Sequence, residues 1–444
     1  MLNKLNTALK NISPNIRKII ANMGWLIGGR FLRAAVSFIV VAWMARYLGT
    51  DQFGTLNYAI ALIAIFGNIS QMGLNDFVLR DTVREPSHRY EIIGTAVAIQ
   101  FISGISSFVL IIGIIFLLQP EDPLGRMIVI IMSISLLFQN LYGNINIWFH
   151  SQIQSKYSVL SQNIAFIIIT LAKVVLLQIQ APLITFAILF SAEHILSTIN
   201  FIIAYQITGQ KIQKWRANWQ RAIKLIKVSW PLIFSNLSVV VYLSADQVML
   251  GQLVDSRAVG VYAVAVKLSE NFAVLVLALT RSMSPHIIEA KKISEQLYYQ
   301  RIQKLCNLLA LIFYALAIPL TFFSTPFIIL IFGQSYASAG IVLSIHIWSS
   351  IWMFFGNIKQ VWIANEELTV FAMTASSTGA VMNIALNFWL IPIYKELGAA
   401  IATVISYFFT DYVMCFMYPP ARKFGWVMTK ALALNILTQA RQKA

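Results

Sequence analysis

Apolar runs, each about the length a helix needs to cross a bilayer, recur along the whole chain and are broken only by short polar stretches. The pattern predicts twelve membrane-spanning helices, near 19–46, 53–75, 92–118, 127–149, 157–177, 183–207, 224–253, 258–283, 302–332, 338–363, 368–391 and 397–417. Runs this long suit helices rather than the shorter alternating strands of a barrel, so the predicted class is all-α and polytopic. The first 18 residues differ. Leu2, Leu5, Leu9, Ile12 and Ile16 recur at helical spacing, while Lys4, Lys10 and Arg17 point elsewhere. That is the pattern of a basic amphipathic segment lying on a membrane surface. No apolar run has the short form and small-residue cut site of a cleavable signal, so the first span is expected to stay in the protein.

Composition agrees: 58% of residues are hydrophobic and 11% charged, against roughly 25% charged in a soluble domain. The net charge of +16 would suit a nucleic-acid binder, but its distribution argues against one. Lys and Arg divide 25 to 4 between the two sides of the predicted topology, with the larger share on the side of both termini. Cytoplasmic loops carry that excess, so both ends are expected inside. The 25 include six from Lys211 to Lys227, five from Arg281 to Lys304, and Lys359. Four cations remain outside that count, and they lie within spans: Arg30, Arg33, Lys173 and Lys267. Cys306 and Cys415 also fall within spans, and two isolated thiols in lipid make neither a disulfide framework nor a metal site.

The chain repeats itself. "FGTLNYAIAL" (53–62) answers "VGVYAVAVKL" (259–268), aligning Gly54 with Gly260, Ala59 with Ala265 and Leu62 with Leu268 at an offset of 206. Just upstream, "YLG" (47–49) answers "MLG" (249–251). With six spans in each half, the halves share an orientation, and their pseudo-two-fold axis should run along the membrane normal. The expected organisation is therefore a basic segment at 1–18, a first lobe at 19–207, a basic cytoplasmic linker at 208–223, a second lobe at 224–417 and a basic tail at 418–444.

"RFLRAAVSFIVVAWMARYLGTDQFGTLNYA" (30–59) and "GLNDFVLRDTVRE" (73–85) resemble the first lobe of Wzx-like polysaccharide flippases. "SWPLIFSNLSVVVYLSADQVMLGQL" (229–253), "VGVYAVAVKLSE" (259–270) and "FGQSYASAG" (332–340) resemble segments of their second lobe. These flippases belong to the multidrug/oligosaccharidyl-lipid/polysaccharide exporter superfamily. The resemblance implies a non-enzymatic transporter in the bacterial cytoplasmic (inner) membrane. Its cargo would be an undecaprenyl-pyrophosphate-linked oligosaccharide, moved to the external leaflet for O-antigen, lipopolysaccharide or exopolysaccharide synthesis. Glycosyltransferases would act before it and a polymerase after it.

That reading gives the buried charges work. Counted from a span start near residue 20, Arg30 and Arg33 lie about 15 and 20 Å along the helix. A charge at mid-bilayer costs at least ~2.5–3.5 kcal/mol on insertion scales, so both should face protein or a wet cavity. Arg30, Arg33 and Lys267 are candidate pyrophosphate ligands, because a guanidinium fork matches phosphate oxygens. The alternative is internal ion pairing. Asp76, Glu193, Asp246, Glu270 and Asp411 are either those ion partners or the site where a proton or sodium ion couples to transport; the membrane potential is another candidate drive. Asn144, Asn146, Trp148, His346 and Trp352 could contact sugar, as could Asn387, or could serve as interhelical glue and interfacial anchors. No cofactor is called for.

Two other readings compete. A cation-coupled multidrug exporter of the same superfamily would favour a negative cavity, which Arg30, Arg33 and Lys267 oppose. A membrane polysaccharide polymerase or ligase would need an external domain, and the external loops are a few residues long with no nucleotide-sugar motif.

Overall fold

The computed structural model describes residues 14–434, with side chains from residue 33 onward except 273–275; the amphipathic segment expected before residue 14 lies outside the described residues. Every regular element among the described residues is helical. The helices are α1 (Pro14–Gln71), α2 (Asn75–Arg84), α3 (Arg89–Leu118), α4 (Pro123–Ser133), α5 (Ser135–Ser151), α6 (Ser155–Gln178) and α7 (Leu183–Ile207). There follow α8 (Trp219–Leu253), α9 (Ser256–Asn271), α10 (Ala273–Ile293), α11 (Glu295–Phe332), α12 (Ala339–His346), α13 (Ser349–Glu366), α14 (Thr369–Tyr394) and α15 (Glu396–Phe408). A π turn (Phe409–Val413) leads into α16 (Met414–Met417), and α17 (Arg422–Leu432) closes the described chain.

Among the described residues ten helices are long and apolar enough to cross a membrane, or eleven when the bent pair α12–α13 counts as one span. The sequence predicts twelve, and the difference begins in α1. Its 58 residues would measure about 87 Å if straight, nearly three bilayer cores. Gly49 breaks it, with φ 70° and ψ 178°, a conformation that a side chain disfavours and glycine permits. The break falls where the sequence predicts the first loop. Capping carboxylates and hydroxyls start other helices. Asp122 Oδ1 accepts from Gly125 N at 2.9 Å, Asp255 Oδ1 from Ala258 N at 2.7 Å, and Ser294 Oγ from Leu297 N at 3.1 Å, each satisfying an orphan donor.

The chain divides into two compact units. One comprises residues 1–43 and 63–233, the other 44–62 and 234–444. In the first unit, amides bind the helices. Asn140 on α5 donates to Ser70 Oγ at 3.1 Å and to Gln100 O at 3.2 Å, and Asn144 donates to Gln100 Oε1 at 2.6 Å. Lipid supplies no competing partner, so such bonds hold α1, α3 and α5 together. The linker is bound to the same unit. Trp215 Nε1 donates to Tyr205 Oη at 3.1 Å, and Asn218 N to Thr95 Oγ1 at 3.0 Å. Arg221 bridges Glu85 and Glu91, each at 2.9 Å. The Arg221 hydrogen bond holds the Glu85 carboxyl below the usual carboxylate range.

In the second unit the two repeated segments meet at their aligned glycines. A Cβ on Gly54 would strike the backbone of Ser256, and one on Gly260 would strike the backbone of Thr50. Only glycine allows that approach. Alongside, Gln252 Nε2 donates to Tyr58 Oη at 2.7 Å. The "FGQSYASAG" loop docks here too: Tyr336, fully buried, donates to Ala45 O at 3.0 Å and meets Phe53 edge-on. Overpacking a filled core costs about 1–3 kcal/mol. Gly260→Ala should therefore lower stability by about that much, read by denaturant or thermal unfolding in detergent; an unchanged midpoint contradicts the close crossing.

Candidate functional site

Among the described residues, ionisable side chains at membrane depth form three groups. The first lies in unit 1. Arg33 of α1 donates from Nη1 to Gln162 Oε1 of α6 at 2.7 Å. Beside them, Lys173 of α6 pairs with Glu193 of α7 at 3.2 Å. Arg33, Gln162, Glu193, Tyr142, His194 and Ser197 line a cavity of about 160 Å³. Glu193 is ten residues from the start of α7, about 15 Å along the helix. This cavity therefore sits deep in the bilayer, where a guanidinium needs polar company. The sequence flags Arg33, Lys173 and Glu193; nothing in periodicity marks Gln162, an ordinary amide on an apolar helix. The Arg30 side chain lies outside the described residues.

The second group lies in unit 2 around Asp246 of α8, which is 3% exposed. Its carboxylate accepts from Asn387 Nδ2 of α14, Tyr262 Oη of α9 and Thr403 Oγ1 of α15, each at 2.5 Å. All three donors are neutral. Among the described residues no Lys or Arg lies within ion-pair distance of Asp246. Asn387 Nδ2 also donates to Asn383 Oδ1 at 3.1 Å, while Asn387 Oδ1 is buried without a hydrogen-bond partner among the described residues. The Asp246 carboxylate and the Tyr262 and Thr403 hydroxyls thus form a buried oxygen-rich cluster. Hard cations take such oxygen donors, and a proton on Asp246 would equally remove its charge. Lys267 and Glu270, one turn apart on α9, lie close enough to act on each other electrostatically, and Asp246 acts on Glu270 in the same way. His346 is buried against this group, bonding Ser269 Oγ through Nδ1 at 2.8 Å and meeting Tyr262 edge-on.

The third group corrects the sequence reading. Lys359, counted among the loop cations, is 3% exposed within α13. Its ammonium pairs with Asp411 at 2.5 Å and donates to Thr410 O at 2.9 Å. Both partners belong to the π turn that ends α15, and π turns disturb the backbone ladder. Lys359 lies inside the predicted tenth span, at a depth from its end similar to that of Asp411 in the twelfth. That matched depth was the available signal.

The other expected residues are placed as follows. Asp76 is exposed in the first turn of α2, and Arg80 pairs with Asp81 rather than with it. Asn144 is buried in the amide network of unit 1. Asn146 Oδ1 is buried without a hydrogen-bond partner among the described residues. Trp148 is buried between Phe149 and Tyr205, with ring centroids 5.1 Å away in each case. Trp352 packs on Phe408 and Tyr412. Asn387, read from sequence beside the sugar candidates, bonds Asp246.

Removing one member of a buried ion pair leaves the other charge uncompensated, at about 3–5 kcal/mol. Lys359→Met should destabilise the protein by about that amount, and Lys359→Met combined with Asp411→Leu should recover most of the loss. Unfolding of the two variants in detergent checks this; a double variant no more stable than the single one counts against the pair.

The chain resembles known membrane proteins over nearly its whole length. It is 22% identical over 407 residues to the probable flippase AglR of Haloferax volcanii, covering 85% of this chain and 79% of that one. Among solved structures, the lipid II flippase MurJ in an inward closed conformation aligns with TM-score 0.71 at 15% identity, covering 94% of this chain and 92% of that one. An inward-facing multidrug resistance MATE family transporter of the MOP superfamily aligns with TM-score 0.64 at 12% identity, covering 91% and 95%. At these identities the two structures establish a common fold. Residues 19–291, more than half of the chain, match the family described as polysaccharide biosynthesis protein. The chain therefore belongs to the polysaccharide biosynthesis protein family, and it shares the fold of these membrane proteins.

Proposed function

We propose that this protein moves an undecaprenyl-pyrophosphate-linked oligosaccharide from the cytoplasmic to the external leaflet of a bacterial inner membrane. Surface polysaccharide synthesis would use the product, with glycosyltransferases supplying the substrate and a polymerase consuming it. In this reading α1 divides at Gly49 into two spans, and the Lys and Arg asymmetry supports cytoplasmic termini. Two six-helix lobes, 19–207 and 224–417, would then expose the cargo site alternately to each side.

The observation that carries the reading is Arg33. Its guanidinium sits at bilayer depth, bonds a neutral amide and opens on a polar cavity. A pyrophosphate passing this point gains charge-assisted hydrogen bonds that it otherwise lacks in lipid. A cationic drug would be repelled there. Arg30, one turn earlier on the same helix, is the second proposed ligand, and Lys267 is a third from the other half of the chain.

Asp246 is the proposed coupling site. A buried carboxylate surrounded by neutral donors is costly when charged and alone. Binding a proton or a sodium ion neutralises it, so its occupancy can bias one conformation over another. Glu193 and Asp411, each ion-paired, are proposed as structural partners instead, and Glu270 as the partner of Lys267.

The test uses purified protein in liposomes containing a fluorescent undecaprenyl-pyrophosphoryl trisaccharide, with flipping read as loss of protection from a membrane-impermeant reagent. Wild type should translocate the lipid, faster under an inward-directed proton or sodium gradient. Arg33→Gln should lower the rate at least tenfold, and Asp246→Asn should remove the gradient dependence. Correctly oriented wild type that leaves the lipid in place, or an Arg33→Gln variant with full rate, would overturn the reading.

A further inference from the structure

A second cavity of unit 1, about 410 Å³ in volume, opens between the end of α2 and the start of α8. Both of its walls grade from charged to apolar in the same direction. On α2, Arg84 and Arg80 lie toward the helix end and Phe77 lies further back. On α8, Gln220, Arg221 and Lys224 come first, followed by Leu225 and Val228. The gradient covers about 11 Å on α2 and about 12 Å on α8. Arg84 and Trp219 are the terminal residues of two runs long and apolar enough to cross a membrane. The charged end of the cavity therefore faces water, and the apolar end faces the acyl layer. Trp219, next to Gln220, is 76% exposed, and tryptophan favours the headgroup layer. Leu225 is buried with Val78 and Ile92, and Phe77 packs on the same cluster, which gives the apolar end a firm floor.

The charges in the cavity are incompletely matched. Arg80 pairs with Asp81 at 2.9 Å and covers the Phe77 ring. Glu85 and Glu91 share a single guanidinium, that of Arg221. Arg84 and Lys224 make no ion pair among the described residues. Lys224 acts on the Glu85 carboxyl electrostatically without reaching ion-pair distance. A guest with one charge of each sign fits between them. An anion alone would meet carboxylates, and a cation alone would meet Arg84 and Lys224. A phosphodiester with a primary ammonium a few bonds away answers both. The ammonium has three hydrogens to donate to carboxylate oxygens, and the phosphate accepts charge-assisted bonds from the two bases. Phe77, Leu225 and Val228, which neither charge uses, meet the first carbons of the acyl chains.

We infer that this cavity seats the headgroup of phosphatidylethanolamine, with Glu85 and Glu91 at its ammonium and Arg84 and Lys224 at its phosphate. The site is independent of the cargo carried. The seated lipid joins α2 and α3 to α8, the same elements that Arg221 bridges. Lipid composition then acts on how firmly the start of α8 is held.

Native mass spectrometry of the delipidated full-length protein in detergent tests this. The probes are dioleoyl phosphatidylethanolamine, phosphatidylcholine and phosphatidylglycerol. Phosphatidylcholine keeps the positive charge but has no N–H to donate, and phosphatidylglycerol lacks the cation. Wild type should bind the ethanolamine lipid about fivefold more tightly than either. Glu85→Gln should cut that preference to about twofold or less while leaving phosphatidylcholine affinity within about twofold. Arg84→Gln and Lys224→Gln should each lower the affinity for all three lipids by about two- to fivefold. Lys292→Gln removes an exposed cation of unit 2 and should change none of them. Soluble glycerophosphoethanolamine leaves the apolar end uncovered and should bind at least about tenfold more weakly than the lipid. Equal affinity of wild type for the three lipids overturns the site. So does an undiminished preference in Glu85→Gln, or a loss in Lys292→Gln that matches the loss in Lys224→Gln. Equal binding of the soluble headgroup overturns a lipid as the occupant.

Discussion

A charge has no inexpensive place in hydrocarbon, and among the described residues the positions of the deep ionisable groups reflect that cost. Three solutions are present. Lys359 and Asp411 neutralise each other, and so do Lys173 and Glu193. Arg33 leans on an amide and faces a polar cavity. Asp246 gathers three neutral donors. The first solution cancels charge within the protein. Around Asp246 the donors are neutral, and in the proposed function a proton or an ion meets that charge transiently.

The surrounding structure makes those demands persistent. In unit 1, Asn140, Asn144 and Gln100 tie helices together without charge, so the helix bearing Tyr142 cannot easily move to fill the cavity. The Arg221 bridge to Glu85 and Glu91 fastens the start of α8 to the same unit. In unit 2, the crossing at Gly54 and Gly260 brings helix backbones too close for any side chain. Rigid walls keep a polar site polar.

Much of this was legible beforehand. Hydropathy marked an all-helical chain with many membrane-length helices, and the repeat around Gly54 and Gly260 singled out two glycines that the structure brings into contact. Arg33 announced itself by cost alone. Lys359 did not, because a lysine near a span end reads as a loop residue until its partner is known. Asn387 read as a sugar ligand for a similar reason: one strand of sequence shows that an amide is buried, not which helix faces it. Gln162, Tyr262 and Thr403 gave no signal, since each is ordinary in a membrane helix and gains meaning only from the charge beside it. The Gly49 break was expected as a loop, yet the chain turns there with helix on both sides.

Difference infrared spectroscopy on the protonation of Asp246 tests most directly whether unmet charge drives this protein. Spectra of wild type minus Asp246→Asn should show a protonated carboxylic acid band at neutral pH without sodium. Raising the pH, or adding sodium, should convert that band to a carboxylate signal. A carboxylate signal that is present throughout and insensitive to both would mean that the neutral donors alone stabilise the charge, and the proposed coupling would fail.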